Sequence, residues 1–187
     1  MSARPDVRGG PVRQRLTTAA AALIAERGWG AVSTRAVAER AGVAPGVVHY
    51  HFGSVQALLT EAAVTTIRDL VMGMTAALDE VRDPGVLVRR LLDALDQYTG
   101  QDPMLLLANE AYLAATRNEE LRRELGAVLT EFRDWLAQRF AAAGIAAPEQ
   151  TAAVVAATID GLLLHRTLNP ELSGTAVARV LHRLIAT

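Results

Sequence analysis

The chain has 187 residues, 51% hydrophobic, 21% charged and 4% aromatic, with no cysteine. That composition belongs to a folded globular protein and excludes disulfides and thiolate metal sites. The formal charge of −1 conceals an asymmetry: residues 1–53 carry seven arginines against three acids, +4, and the remainder twelve against seventeen, −5. A basic front and an acidic rear imply a polyanionic partner for the front alone.

In chain order, MSARPDVRGG (1–10) reads as a flexible basic arm without the apolar stretch of a secretory signal. Helical periodicity begins near Val12, with Leu16, Ala20, Leu23 and Ile24 as the inward stripe, and Gly28 stops it. A short second helix starts at Thr34 behind the N-cap Ser33, turns Val37, Ala38 and Ala41 inward, and breaks at Gly42. A third, barely two turns long, runs from Pro45 to Phe52. Ser54 caps a long fourth helix to about Val81, and RDPG (82–85) is a turn. A fifth helix reaches about Tyr98, a sixth covers about 104–116, and a seventh starts behind Asn118 with Glu119 and Glu120. The eighth spans about 149–168 and the ninth about 175–185. Strand signals are nearly absent, so the expectation is an all-α chain of about nine helices. Its N-terminal part, 11–53, is a three-helix helix-turn-helix domain, and 54–187 is a second, helical domain. The longest apolar run, TAAVVAATIDGLLLH, is interrupted by Asp160 and too short to span a bilayer. A cytoplasmic protein with no membrane partner is therefore expected.

Within AERAGVAPGVVHYHFGS (38–54), Ala38 offers a small contact between helices, Gly42 a residue tolerant of positive φ, and Val37, Val43 and Val48 a lock. A helix so short depends on its neighbours. Carrying His49, Tyr50 and His51, it suits insertion into a DNA major groove better than core filling.

The stretch STRAVAERAGVAPGVVHYHFGSVQALLTEA, Ser33 to Ala62, resembles the DNA-binding signature of TetR-family transcriptional regulators. The acidic rear resembles that family in layout, including DGLLLHRTLNP as its penultimate helix. The resemblance implies contacts from Thr34 and Arg35 at the start of the second helix, with Arg35 able to grip guanine bidentately. It implies apolar readout and close backbone approach from Pro45, Gly46 and Val47, and phosphate contacts from His49, Tyr50 and His51. Arg4, Arg8 and Arg13 would add contacts from the arm. Two positions depart from the family pattern: Val55 stands where many members carry lysine, and His49 where tyrosine is commonest. Both weaken the expected grip, although the N-terminus of the fourth helix still favours a phosphate.

The rear is expected to pair two subunits through Val155, Ile159 and Leu162 of the eighth helix and Val177, Val180, Leu181 and Leu184 of the ninth, as a four-helix bundle. A small, partly apolar ligand would be sensed there, as the resemblance implies. The candidates are Met72, Met104, Asn109, Glu110, Tyr112, Phe132, Trp135 and His165, together with Met74 and Tyr98. The chain has no HExxH motif and no phosphate-cradling glycine loop, and His49 and His51 are two residues apart on different sides of a helix. No catalytic residue, metal site or cofactor is expected. The reading is a homodimeric repressor on a near-palindromic double-stranded operator, released by a small molecule. A non-specific architectural DNA-binding protein, or an activator on the same fold, is the alternative.

Overall fold

A computed structural model describes residues 9–185, with side chains from 10 to 183. Arg4 and Arg8 of the expected arm, and the side chain of Leu184, lie outside the described residues. Among these, the chain forms nine α-helices and one 3₁₀ turn, with no strand. They are α1 (Gly9–Arg27), the turn Trp29–Ala31, α2 (Thr34–Ala41), α3 (Pro45–Phe52), α4 (Val55–Ala77), α5 (Pro84–Leu95), α6 (Pro103–Ala115), α7 (Glu119–Ala142), α8 (Pro148–Arg166) and α9 (Gly174–Ile185). The helix ends have local causes. Asp83 accepts a hydrogen bond from the Val86 N–H at 2.7 Å, Asp102 from Met104 at 2.8 Å and Asn118 from Leu121 at 3.1 Å. α4 ends at Ala77, short of the expected Val81. Asp79 and Glu80 follow Leu78 just beyond it, and anions oppose the dipole at a helix C-terminus. Asp79 instead pairs with Arg139 of α7.

The chain divides into two compact units, 1–66 with 106–122, and 67–105 with 123–187. The interior of the first includes Leu16, Leu23, Ile24, Val37, Val48, Leu58, Leu59 and Leu121, all essentially inaccessible. α1, α2 and α3 pack on one another there. Thus the short helices are held by apolar contact rather than by their own propensity.

The second unit packs Leu87, Val88, Leu91, Leu92 and Leu95 of α5 against Phe132, Leu136 and Phe140 of α7. Val155, Ile159 and Leu162 of α8 and Leu181 of α9 join the same core. These last four were expected at a surface between subunits; they are 1–6% exposed inside the single chain. Their stripes are needed to close this core, and an apolar stripe does not disclose which partner it faces. Val177 is half-buried against the same core, and Val180 is 50% exposed. The outward stripe of α8 carries Val154, Thr158, Gly161 and Leu164, with Val154 and Leu164 more than half exposed.

A polar knot closes the second unit. Arg166, 4% exposed, donates to the backbone carbonyls of Leu95, Tyr98 and Leu172 and to the Asp96 carboxylate at 2.6 Å. Asp96 in turn accepts from the N–H groups of Gly174 at 2.7 Å and Thr175 at 3.3 Å, capping α9. One arginine thus satisfies the carbonyls at the end of α5, and one aspartate the donors at the start of α9. α9 also approaches α5 so closely that a Cβ at Gly174 would land on the Leu92 carbonyl. Burial pushes the Asp96 carboxyl up, but the bonds from Gly174, Arg166 and Thr175 outweigh it and hold the group below its ordinary value.

Two outcomes follow for stability. Arg166→Met, which keeps the aliphatic stem, should cost about 3 kcal/mol in urea unfolding because three carbonyls and a carboxylate lose their donor. Since the Asp96 value is lowered on folding, its stabilisation is complete above the ordinary carboxylate value near 3.9 and is lost as pH falls below it. Asp96→Asn should therefore be less stable at neutral pH, and its unfolding midpoint should vary less than the wild type's as acid is added.

Candidate nucleic-acid interface

The α2–α3 pair is shaped by its caps. Ser33 accepts from the Ala36 N–H at 3.2 Å and starts α2. Gly42 ends it in the left-handed region, φ 66°, where side chains are strained. The Gly42 N–H reaches the Glu39 carbonyl at 3.2 Å and the Val43 N–H the Ala38 carbonyl at 2.9 Å, the paired bonds of a Schellman ending. Ala44 is extended, and Pro45 opens α3 in its first turn. Val37, Ala38 and Val48 are buried to 1% or less and lock the two helices together. Gly53, φ 72°, closes α3, and Ser54 accepts from the Ala57 N–H at 3.0 Å to start α4.

This packing turns a set of polar groups outward. Arg35, Pro45, Gly46, His49 and Tyr50 are exposed; Thr34, Val47 and His51 are half-buried. Tyr50 is 78% exposed, an unusual place for a phenol ring on a helix this short. Its ring meets His51 edge-on with centroids 5.1 Å apart. Arg15, Arg27 and Arg35 take part in no ion pair among the described residues. Arg40 is engaged with Glu26 at 2.7 Å, a bond that holds the Glu26 carboxyl below its usual range. The eight residues expected to contact DNA thus lie on α2 and α3, at the start of the one and along the other.

Arg13 is not part of an arm. It lies within α1, pairs with Glu61 of α4, donates to the His51 carbonyl at 2.7 Å, and stacks its guanidinium 4.2 Å from the Phe52 ring centroid. Those bonds occupy the donors that an arm residue would offer to DNA, and they fasten the end of α3 to α1 and α4. The sequence signal was weak: an arginine on the polar side of an amphipathic helix looks like any solvated cation.

A second unforeseen set surrounds Trp29. Its backbone N–H donates to Glu110 of α6 at 2.7 Å and its ring N–H to Gln56 of α4 at 3.1 Å. Gly28, φ 79°, lets the Glu110 carboxylate approach to 3.2 Å of where a Cβ would stand. Trp29, Gln56 and Glu110 line an open cleft of about 590 Å³ with Leu113, Arg117 and Glu119, all within the first unit.

The candidate ligand residues are dispersed. Asn109, Glu110 and Tyr112 belong to the first unit, and Met72, Met104, Phe132, Trp135 and His165 to the second. Phe132 is buried and stacks on Trp135, centroids 6.1 Å apart; Arg139 lies 3.9 Å from the Trp135 centroid. Trp135 therefore already serves an internal cation. Met72 and His165 are exposed, while Met74, Tyr98, Met104 and Asn109 are half-buried. No group of three or more histidine, aspartate or glutamate side chains that could hold a metal occurs among the described residues. No described helix is long and apolar enough to cross a membrane.

Comparison with known proteins fits this geometry. The family profile for bacterial regulatory proteins of the tetR family matches residues 16–62, and that for the tetracyclin repressor-like C-terminal domain matches 82–187. The HTH-type transcriptional regulator BetI of Agrobacterium fabrum is 33% identical over 180 residues, covering 90% of this chain and 83% of that protein. A transcriptional regulator of Streptomyces coelicolor A3(2) has a similar structure, TM-score 0.78, at 32% identity over 94% of this chain and 99% of its own. A regulator from Saccharomonospora viridis, solved in complex with choline, shares the fold at TM-score 0.78 and 22% identity, over 95% of this chain and 96% of its own. With a basic, capped α2–α3 pair at its front and helices throughout, the chain belongs to the TetR family of DNA-binding transcriptional regulators.

Proposed function

We propose that the chain acts as a homodimeric repressor that occupies a near-palindromic operator and leaves it when a small molecule binds. The observation that carries this reading is the outward set on α2 and α3, above all the exposed Tyr50 ring and the unpaired Arg35 guanidinium. In a major groove, Arg35 would read a guanine edge, while Val47 and the bare Gly46 backbone would lie against bases. Tyr50, His49, His51 and Thr34 would hold phosphates and fix register. One short helix reads only a few base pairs, so two copies related by a two-fold axis are needed for an operator-length site.

The surface for that pairing would be the outward stripe of α8, Val154, Thr158, Gly161 and Leu164, with Val180 of α9. The buried Val155, Ile159, Leu162 and Leu181 would support it from behind, with Val177 between. Gly161 would permit close approach of two helices, and the exposed leucine and valines would supply apolar area.

Release requires a ligand with different affinities for the DNA-competent and the released arrangements. A coupling of about 1–3 kcal/mol suffices for useful induction. The choline bound by the Saccharomonospora viridis regulator makes quaternary ammonium compounds the first class to test. A quaternary ammonium seeks aromatic faces, so Trp135 would have to exchange the Arg139 guanidinium for it.

The test is selection of bound duplexes from a random pool at near-physiological salt, followed by competition with choline on the recovered duplex. A two-fold symmetric motif, lost from the protein on adding choline, is expected. Binding without enrichment would favour an architectural protein, and a motif that stimulates transcription when occupied would favour an activator.

Two substitutions resolve the contacts. Arg35→Ala should cost about 1–3 kcal/mol on the selected duplex and relax preference at one base position per half-site; a uniform loss over all sequences would make Arg35 a phosphate contact. Tyr50→Phe should weaken binding by about 1 kcal/mol on every duplex alike, with base preferences unchanged in a repeated selection.

A further inference from the structure

We propose that His49 grips DNA only as an imidazolium, so that operator binding takes up one proton per chain and strengthens as pH falls. The inference rests on the reading of α3 as the DNA-contacting helix. It starts from one bond: His49 Nδ1 lies 3.1 Å from the backbone carbonyl oxygen of Gly53. A carbonyl can only accept, so Nδ1 must carry the hydrogen. In the neutral ring that leaves Nε2 as a bare lone pair. A phosphate oxygen is likewise an acceptor only. A neutral His49 and a phosphate therefore meet acceptor to acceptor, and the contact becomes a hydrogen bond only when Nε2 is protonated as well. The proton comes from solvent and is returned when DNA leaves.

The surroundings leave the ring free to make this exchange. It is exposed, and the Gly53 bond is its one side-chain hydrogen bond among the described residues. The Gly53 carbonyl stands at the close of α3, where the N–H of the same residue returns to the His49 carbonyl at 3.0 Å. Ring and backbone are thus tied at both ends of one turn, which fixes the tautomer. The charged and titratable side chains on the helices that pack against α3 are Arg13, Arg15, Glu26 and Arg27 of α1 and Arg35, Glu39 and Arg40 of α2; Glu61 of α4 reaches α3 through Arg13, and α3 itself carries Tyr50 and His51. Arg13 is paired with Glu61 and Arg40 with Glu26, Glu39 lies outside any ion pair among the described residues, and none of the three carboxylates bonds the His49 ring. The incoming phosphate is what would stabilise the second ring proton.

A tyrosine at this position donates its hydroxyl to a phosphate at any pH below its own ionisation. Histidine with Nδ1 committed converts the same contact into one conditional on protonation. His51 differs: among the described residues its ring makes no hydrogen bond that fixes the tautomer, its backbone carbonyl being what Arg13 holds.

Fluorescence anisotropy with the labelled duplex recovered by selection, and with a labelled duplex of unrelated sequence, tests this at pH 6 and pH 8 and constant ionic strength. Wild-type affinity should rise about tenfold or more from pH 8 to pH 6 on both duplexes, because a histidine changes charge across this range and phosphates are common to all sequences. His49→Gln should remove most of the rise, His49→Arg should bind tightly with little pH dependence, and His51→Gln should keep the rise. Circular dichroism melts of the exposed-site variants confirm folding. A rise that survives in His49→Gln assigns the proton elsewhere and overturns the proposal. Flat wild-type binding with a base preference altered in His49→Gln also overturns it, and makes the neutral Nε2 an acceptor for a base amino group. Failure of the wild type to bind either duplex at both pH values would instead bring down the reading of α3 itself.

Discussion

An eight-residue helix has no stability of its own, and nearly every unusual feature of the first unit answers that constraint. α3 cannot nucleate on local bonds alone, so its neighbours must hold it. Val48 is sunk completely among the side chains of the unit, and Gly42 turns the chain tightly enough for α2 to lie against it. Arg13 binds the last carbonyl region of α3 and covers Phe52. Only a helix so restrained could expose Tyr50 and His49 without fraying. Apart from His49, whose ring also holds the Gly53 carbonyl, the side chains that hold α3 and the candidate DNA contacts are separate sets. Arg35 and Tyr50 can therefore be altered without removing a support.

The second unit solves a comparable problem with charge. At the start of α9, Ser173 serves the Ala176 N–H at 3.4 Å, and Asp96 of the segment after α5 serves the two donors before it, Gly174 and Thr175. The Gly174 N–H and, after it, Arg166 favour the ionised form of that carboxylate, and Arg166 at the same time serves the carbonyls that α5 leaves open. A buried guanidinium is costly unless several acceptors surround it, and here four do. The result fixes α5, α8 and α9 at a single point, where apolar packing alone would allow sliding.

Much of this fold is written in short-range signals. Ser33, Gly42, Pro45, Asp83 and Pro84 mark helix ends within a few residues of themselves, and the apolar spacing of α1 and α5 shows an inward face directly. Long-range partners leave no such trace. Asp96 caps a helix 78 residues further on, and Glu110 meets Trp29 across 81. The stripe of α8 showed that Val155, Ile159 and Leu162 would be covered, but spacing carries no label for the covering surface. They turned out to close the core of their own chain. The candidate DNA contacts come from a local pattern of residue types and spacing, which is why they fall together on α2 and α3. The ligand candidates had only bulk or polarity to recommend them, and bulk at helical spacing describes core and pocket alike.

The chain has two tryptophans, and they fall one in each compact unit. Trp29 is nearly enclosed, with its ring N–H bonded to Gln56, whereas Trp135 is half-buried beneath a guanidinium. Two indoles in such different surroundings give the protein a built-in pair of optical reporters. Replacing either with phenylalanine isolates the emission of the other, so events at the head and in the rear can be timed separately, without an attached dye.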